Sequence, residues 1–115
     1  MELVALLSTG EGTWAQVAGL IKQGEWDKII LIGSEFARKF QTEKPHEFIE
    51  INNSRIMDLK KEIQEKISNK ISGTEVALSI ASGDGKEHMA LISALLSIPV
   101  GVRFTALTKD GIIII

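Results

Sequence analysis

Two short stretches gather the residue types that hold small anionic ligands. Ser8-Thr9-Gly10-Glu11-Gly12 and Ser82-Gly83-Asp84-Gly85-Lys86 each combine hydroxyls, an acid and paired glycines, and the second ends in a lysine. Glycine lets the backbone come close to a ligand, and free amides at a helix start favour an anion. Lys86 adds a full positive charge beside such amides, while Ser8, Thr9 and Ser82 supply short hydrogen-bonding side chains. The candidate ligand-binding residues are therefore Ser8, Thr9, Gly10, Gly12, Ser82, Gly83, Asp84, Gly85 and Lys86, together with Ser34 in a third loop. Glu11 and Asp84 put negative charge in the same loops. They are suited to hydrogen-bonding a ribose or base, to pairing with Lys86, or to capping helices.

Several other chemistries are excluded or weakly supplied. Gly10-Glu11-Gly12 opens like a dinucleotide fingerprint, but Ala15 stands where the third glycine belongs, and no second domain is present to hold a redox substrate. Gly83-Asp84-Gly85-Lys86-Glu87 lacks the spacing of a P-loop and the hydroxyl residue after lysine. His46 and His88 are too far apart to make a metal pair, and cysteine is absent, so thiolate sites and disulfides are ruled out. No metal and no cofactor is expected. His88, two residues beyond Lys86, is the one candidate general base, although a histidine on a helix surface is the plainer reading. Trp14, in register with Val17 and Ile21, reads as core, and Trp26 as packing.

The loops must be positioned by something, and the chain around them alternates strand and helix. Leu3 to Leu7 is a continuous apolar run, as in a strand covered on both faces. Trp14, Val17, Ala18 and Ile21 recur at helical spacing, ending near Gly24. Lys28 to Gly33 is a second buried strand. Ser34 is placed to cap a short helix carrying Phe36, Ala37 and Phe40, which Pro45 closes. Glu47 to Ile51 forms a third strand, and Asn52-Asn53-Ser54 signals a helix start before the apolar stripe Ile56, Leu59, Ile63 and Ile67. Glu75 to Ala81 is the fourth strand, leading through the Lys86 loop into an apolar helix from Glu87 to Ser97, stopped by Pro99. Val100 to Leu107 and Gly111 to Ile115 are two strands joined by a turn with the hairpin signal Asp110-Gly111.

Helical crossovers require the first five strands to be parallel, and the short last turn makes the sixth antiparallel. The fold class is α/β: a Rossmann-like three-layer sandwich with strand order 3-2-1-4-5 and an antiparallel edge strand, spanning residues 1–115 as one domain. In such sheets ligands bind beyond the carboxyl ends of the strands where the order reverses, here between the first and fourth. Those two strands carry the two glycine loops.

The whole chain bounds the partners. With 115 residues there is room for one core, and with 44% hydrophobic and 24% charged residues it is an ordinary globular composition. The net charge of −2 lacks the basic surplus of a protein that grips long nucleic acid. No tyrosine, two tryptophans and four phenylalanines make a poor base-stacking platform. No apolar run is long enough to span a membrane, the N-terminus lacks a signal-peptide pattern, and a cytoplasmic location is expected.

With these residues in hand, the sequence resembles the CARF domains, the CRISPR-associated Rossmann-fold family. The resemblance lies in the polar end of the first strand (Leu6-Leu7-Ser8-Thr9-Gly10), in Ile80-Ala81-Ser82-Gly83-Asp84-Gly85-Lys86, and in the helix and hairpin that follow. The family turn commonly reads Gly-Gly-Thr-Lys or Gly-Gly-Thr-Arg; Gly83 and Lys86 match it, whereas Asp84 and Gly85 depart from it. The resemblance implies a homodimer whose two-fold axis passes through the switch-point loops. It also implies a cyclic oligoadenylate second messenger lying across both subunits, as in CRISPR antiviral signalling. Some standalone members cleave the ring without metal. In that alternative Ser8 or Thr9 and Lys86 would be catalytic, positioning the ribose 2′-hydroxyl and stabilising developing charge. A third expectation is a Rossmann-like subunit acting only through protein–protein contact.

Overall fold

The computed structural model describes all residues, Met1–Ile115. Six strands form one sheet: β1 (Glu2–Leu7), β2 (Lys28–Gly33), β3 (Glu47–Glu50), β4 (Glu75–Ser79), β5 (Gly101–Thr108) and β6 (Gly111–Ile114). Three α-helices accompany them: α1 (Trp14–Gln23), α2 (Ile56–Ile67) and α3 (Gly85–Leu96). The spatial order is β3-β2-β1-β4-β5-β6. Neighbours from β3 to β5 are parallel, and only the β5–β6 pair is antiparallel. This is the Rossmann-like α/β layout expected from the alternation of elements.

β1 lies at the centre because it is apolar on both faces. Val4 and Leu6 point to one side with Ile30, Ile32, Val76 and Leu78, where Leu59, Ile63 and Ile67 of α2 and Ala90, Leu91, Ala94 and Leu95 of α3 cover them. Leu3, Ala5 and Leu7 point to the other side, covered by Trp14, Val17, Leu20 and Ile21 of α1 and by Ala37 and Phe40. Leu3 through Leu7 are wholly inaccessible. Truncating one such leucine to alanine costs on the order of 2–5 kcal/mol, so the central strand is where the fold tolerates least.

Two local expectations are corrected. The segment after β2 is a 3₁₀ turn, Glu35–Lys39, and not an α-helix. Five residues are too few for α-helical hydrogen bonds to accumulate, and only Ala37 and Phe40 have core to bury. Ser34 precedes that turn but its side chain caps nothing. Ile56, at the first turn of α2, remains 36% exposed, so the buried stripe of that helix begins at Leu59. The final hairpin turns at Lys109-Asp110, with Gly111 at φ +110°, a conformation an L side chain resists.

Candidate functional site

At the β1–β4 switch point the two glycine loops are tied together by a hydroxyl. Ser82 is 1% exposed. Its Oγ accepts a hydrogen bond from the Ser8 amide at 2.7 Å and bonds Thr13 Oγ1 at 2.7 Å. The Ser8 hydroxyl turns back to the Gly10 carbonyl. Trp14 Nε1 donates to the Ser8 carbonyl at 3.3 Å, and its ring packs edge-on against Phe40. Trp14 is therefore core, as its spacing indicated. Ser8 and Ser82 thus hold the loops in register.

Gly83 takes φ +107°. A Cβ there would sit 1.9 Å from Leu6 Cδ2. Both features demand glycine. The tight turn brings His88 Nε2 within 2.9 Å of the Ser82 carbonyl, so His88 closes the loop onto its own helix. α3 then starts with a capping box. Asp84 accepts from the Glu87 amide at 2.8 Å, and Glu87 accepts from the Asp84 amide at 2.9 Å. Of the three roles open to Asp84, the structure shows the cap.

Lys86 reaches away from this turn across to the loop after β3. Its Nζ donates to Asn53 Oδ1 at 2.6 Å and to the Ser54 carbonyl at 2.8 Å. It forms no ion pair with a carboxylate. An ammonium has three donors, so one N–H is left over after these two neutral acceptors. The Asn52 end of that loop is anchored in turn by Glu62, which accepts from the Asn52 amide and side chain, both at 3.2 Å. Burial alone would raise the Glu62 carboxyl, but hydrogen bonds from Lys66 and Asn52 and the Lys66 charge hold it below its ordinary value.

Between these groups lies a cleft of about 180 Å³ lined by Thr9, Ser34, Asn52, Asn53, Asp84, Lys86 and Glu87, floored by Ile51 and Leu59. Of the expected ligand-binding residues it brings together Thr9, Ser34, Asp84 and Lys86. Ser8 and Ser82 stand behind it as the strap, and Gly10 and Gly12 lie on the exposed β1–α1 loop. The Ser34 Oγ is buried and has no hydrogen-bond partner. Glu87 is pushed above the usual carboxylate range. Burial is the main cause; the hydrogen bond from the Asp84 amide opposes it, the Asp84 charge adds to it, and the His88 and Lys86 side chains work against it.

Three glycines in these loops have no internal reason to be glycine. A Cβ on Gly10, Gly12 or Gly85 would meet no atom within 4 Å, and none of the three has a positive φ. Their missing side chains leave open approach to the backbone amides from outside.

Sequence reasoning missed Thr13, Asn53, Ser54 and Glu87. The Asp84-x-x-Glu87 spacing is itself a capping-box signal and could have placed Glu87. Asn52-Asn53-Ser54 was legible only as a helix start. The α-helix begins at Ile56 with Arg55 before it and no side-chain cap; Asn53 and the Ser54 carbonyl serve Lys86 instead, and Asn52 bonds Glu62. Nothing in the sequence pairs positions 53 and 86.

Fold and loops together define a Rossmann-like α/β domain with a polar, lysine-bearing cleft at its switch point. Compared with known proteins, the chain matches no family model and no curated protein. No helix is long and apolar enough to cross a membrane.

Proposed function

We propose that the protein is a CARF-like ligand-binding domain whose switch-point cleft takes a phosphodiester of a cyclic oligoadenylate, shared between two copies. The observation that carries this reading is Lys86: a half-buried cation, oriented by the neutral acceptors Asn53 and Ser54 and engaged in no ion pair, although Asp84 and Glu87 line the same cleft. A charge held in this way favours an anionic partner. Three glycines without an internal role, in the two loops that supply Thr9, Asp84 and Lys86 to the cleft, support close approach by a ligand. Size supports sharing. About 180 Å³ is below the roughly 300–1,000 Å³ of sites that enclose a whole small molecule. A cyclic oligonucleotide would seat one segment in each cleft and lie between two subunits, and a two-fold site offers a symmetric ring identical contacts on both halves.

Two of the groups that ring cleavage could use are engaged within the loops, while Thr9 and Lys86 line the cleft. The Ser8 hydroxyl is turned to the Gly10 carbonyl and His88 Nε2 to the Ser82 carbonyl, so both are held by the loops rather than aimed into the cleft. Glu87 is the one cleft group with a raised carboxyl, and it is engaged in the α3 cap. The test is to incubate the protein with cyclic tetra-adenylate and cyclic hexa-adenylate without metal and follow the ring by chromatography. An intact ring that co-elutes with protein supports a sensor, linear product supports the nuclease alternative, and a ring that stays free and intact overturns both. That last result would leave a protein-interaction subunit as the remaining reading.

A further inference from the structure

The two edges of the sheet are built differently. At the β3 edge Pro45 precedes the strand, and charges guard it: Glu47 faces Lys28 and Lys70, Arg38 pairs with Glu50 at 2.5 Å, and Lys66 donates to the Glu50 carbonyl at 2.8 Å. Such charges and prolines are how open edges avoid pairing with other chains. The β6 edge has none of this. Gly111-Ile112-Ile113-Ile114-Ile115 contains no charge, no proline and no polar side chain, and Ile113 and Ile114 are each 42% exposed.

The register identifies which backbone groups face outward. Ile115 donates to the Phe104 carbonyl, and Ala106 and Thr108 lie opposite Ile113 and Gly111. In an antiparallel ladder hydrogen-bonded pairs alternate, so residues 111, 113 and 115 bond to β5 while the N–H and C=O of Ile112 and Ile114 point away from the sheet. No strand lies beyond them.

We infer that β6 pairs antiparallel with β6 of a second copy of this chain, about a two-fold axis at Ile113. This register is self-complementary. It sets Ile112 opposite the partner's Ile114 and Ile114 opposite the partner's Ile112, so the four outward groups of each strand meet as two hydrogen-bonded pairs. Ile113 then faces its own counterpart at the non-hydrogen-bonded position, where side chains come closest. The apolar row of Phe104, Ile113 and Ile115 on that face of the sheet is doubled across the axis. An isologous contact needs one patch that complements itself, and a short all-isoleucine strand with its outward groups at two alternate positions is such a patch. The axis runs normal to the sheet and sends the two clefts to opposite ends. The pairing is thus separate from any dyad through the switch-point loops and does not rest on the ligand reading.

The experiment is sedimentation of the full chain, without nucleotide, from micromolar to millimolar concentration, combined with amide exchange. Wild type should be a dimer with slow exchange at Ile112 and Ile114. Ile113→Lys puts two ammoniums face to face on the axis and should raise the dissociation midpoint by about tenfold or more. Ile114→Pro removes an N–H that makes no bond within the sheet and should do the same; if either variant loses its native circular dichroism, the other decides. A monomeric wild type, a dimer indifferent to both substitutions, or fast exchange at Ile112 and Ile114 within the dimer would each overturn the inference.

Discussion

The two ends of the sheet offer opposite lessons about what marks a site. At the amino end lies the larger recess, about 580 Å³, bounded by Met1, Glu2, Asp27, Lys28, Ser72, Gly73, Thr74 and Glu75. Three of its charged side chains, Glu2, Asp27 and Lys28, are engaged. Glu2, 4% exposed, accepts from the Ser72 amide at 2.8 and 3.2 Å and from the Gly73 amide at 2.6 Å. Asp27 pairs with the N-terminal ammonium at 2.5 Å, and Lys28 donates to the Lys70 carbonyl. At the carboxyl end the cleft is less than half as large, but Lys86 is bonded only to neutral acceptors and three glycines have no internal role. On the proposed reading, volume points to the wrong end. A lysine outside any ion pair and unexplained glycine point to the end where the strand order reverses, which is also where this topology concentrates ligands.

The comparison breaks or sharpens through substitutions on either side of it. The largest effect is expected at Gly83. Gly83→Ala combines a disallowed φ with a collision against Leu6 and should cost about 3 kcal/mol or more in denaturant unfolding. Next comes the amino end. Glu2→Ala leaves three amide contacts without their acceptor and should cost about 2–3 kcal/mol while leaving nucleotide affinity unchanged. Lys86→Ala should do the reverse, lowering affinity for cyclic tetra-adenylate about 10- to 100-fold by titration calorimetry with little change in the unfolding midpoint.

A smaller effect follows from Glu87. Its folded carboxyl is raised, so its contribution to stability is present below the unfolded value and is lost as pH rises through the raised one. A protonated Glu87 also repels an anion less. Affinity should fall several-fold as pH rises through the raised value, and Glu87→Gln should flatten that profile. Glu62 runs the other way: its lowered carboxyl supports the fold above the ordinary carboxylate range, and that support fades in acid. The smallest stability effect is expected at Gly10 and Gly85. Alanine at either should change unfolding by about 1 kcal/mol at most, in the stabilising direction, while weakening ligand binding several-fold.

Most of the architecture was legible because it rests on periodicity. The apolar runs at Leu3–Leu7 and Lys28–Gly33, the stripe of α2 and the Asp110-Gly111 turn each carry a local signal, and the crossover rule converts their sequence into a sheet order. The exception is instructive: Phe36, Ala37 and Phe40 look helical, but five residues between β2 and a long polar loop wind only as a 3₁₀ turn. The cleft was legible in part. Thr9, Ser34, Asp84 and Lys86 follow from loops that a topology rule sends to one place. Asn53 and Ser54 did not, because their use depends on the reach of a lysine 33 positions away from Asn53, a tertiary fact with no spacing signature. Ser82 shows the converse. Its residue type suits a ligand, yet burial and two partners show it holding the loops together.

The most direct measurement is a calorimetric titration of cyclic tetra-adenylate and cyclic hexa-adenylate into wild type, Lys86→Ala and Glu2→Ala side by side. The expected result is one ring bound per two chains, affinity lost in Lys86→Ala, and wild-type affinity in whatever fraction of Glu2→Ala remains folded. Binding that survives Lys86→Ala, or that disappears with Glu2→Ala while the protein stays folded, would contradict the assignment of the site to the carboxyl end of the sheet.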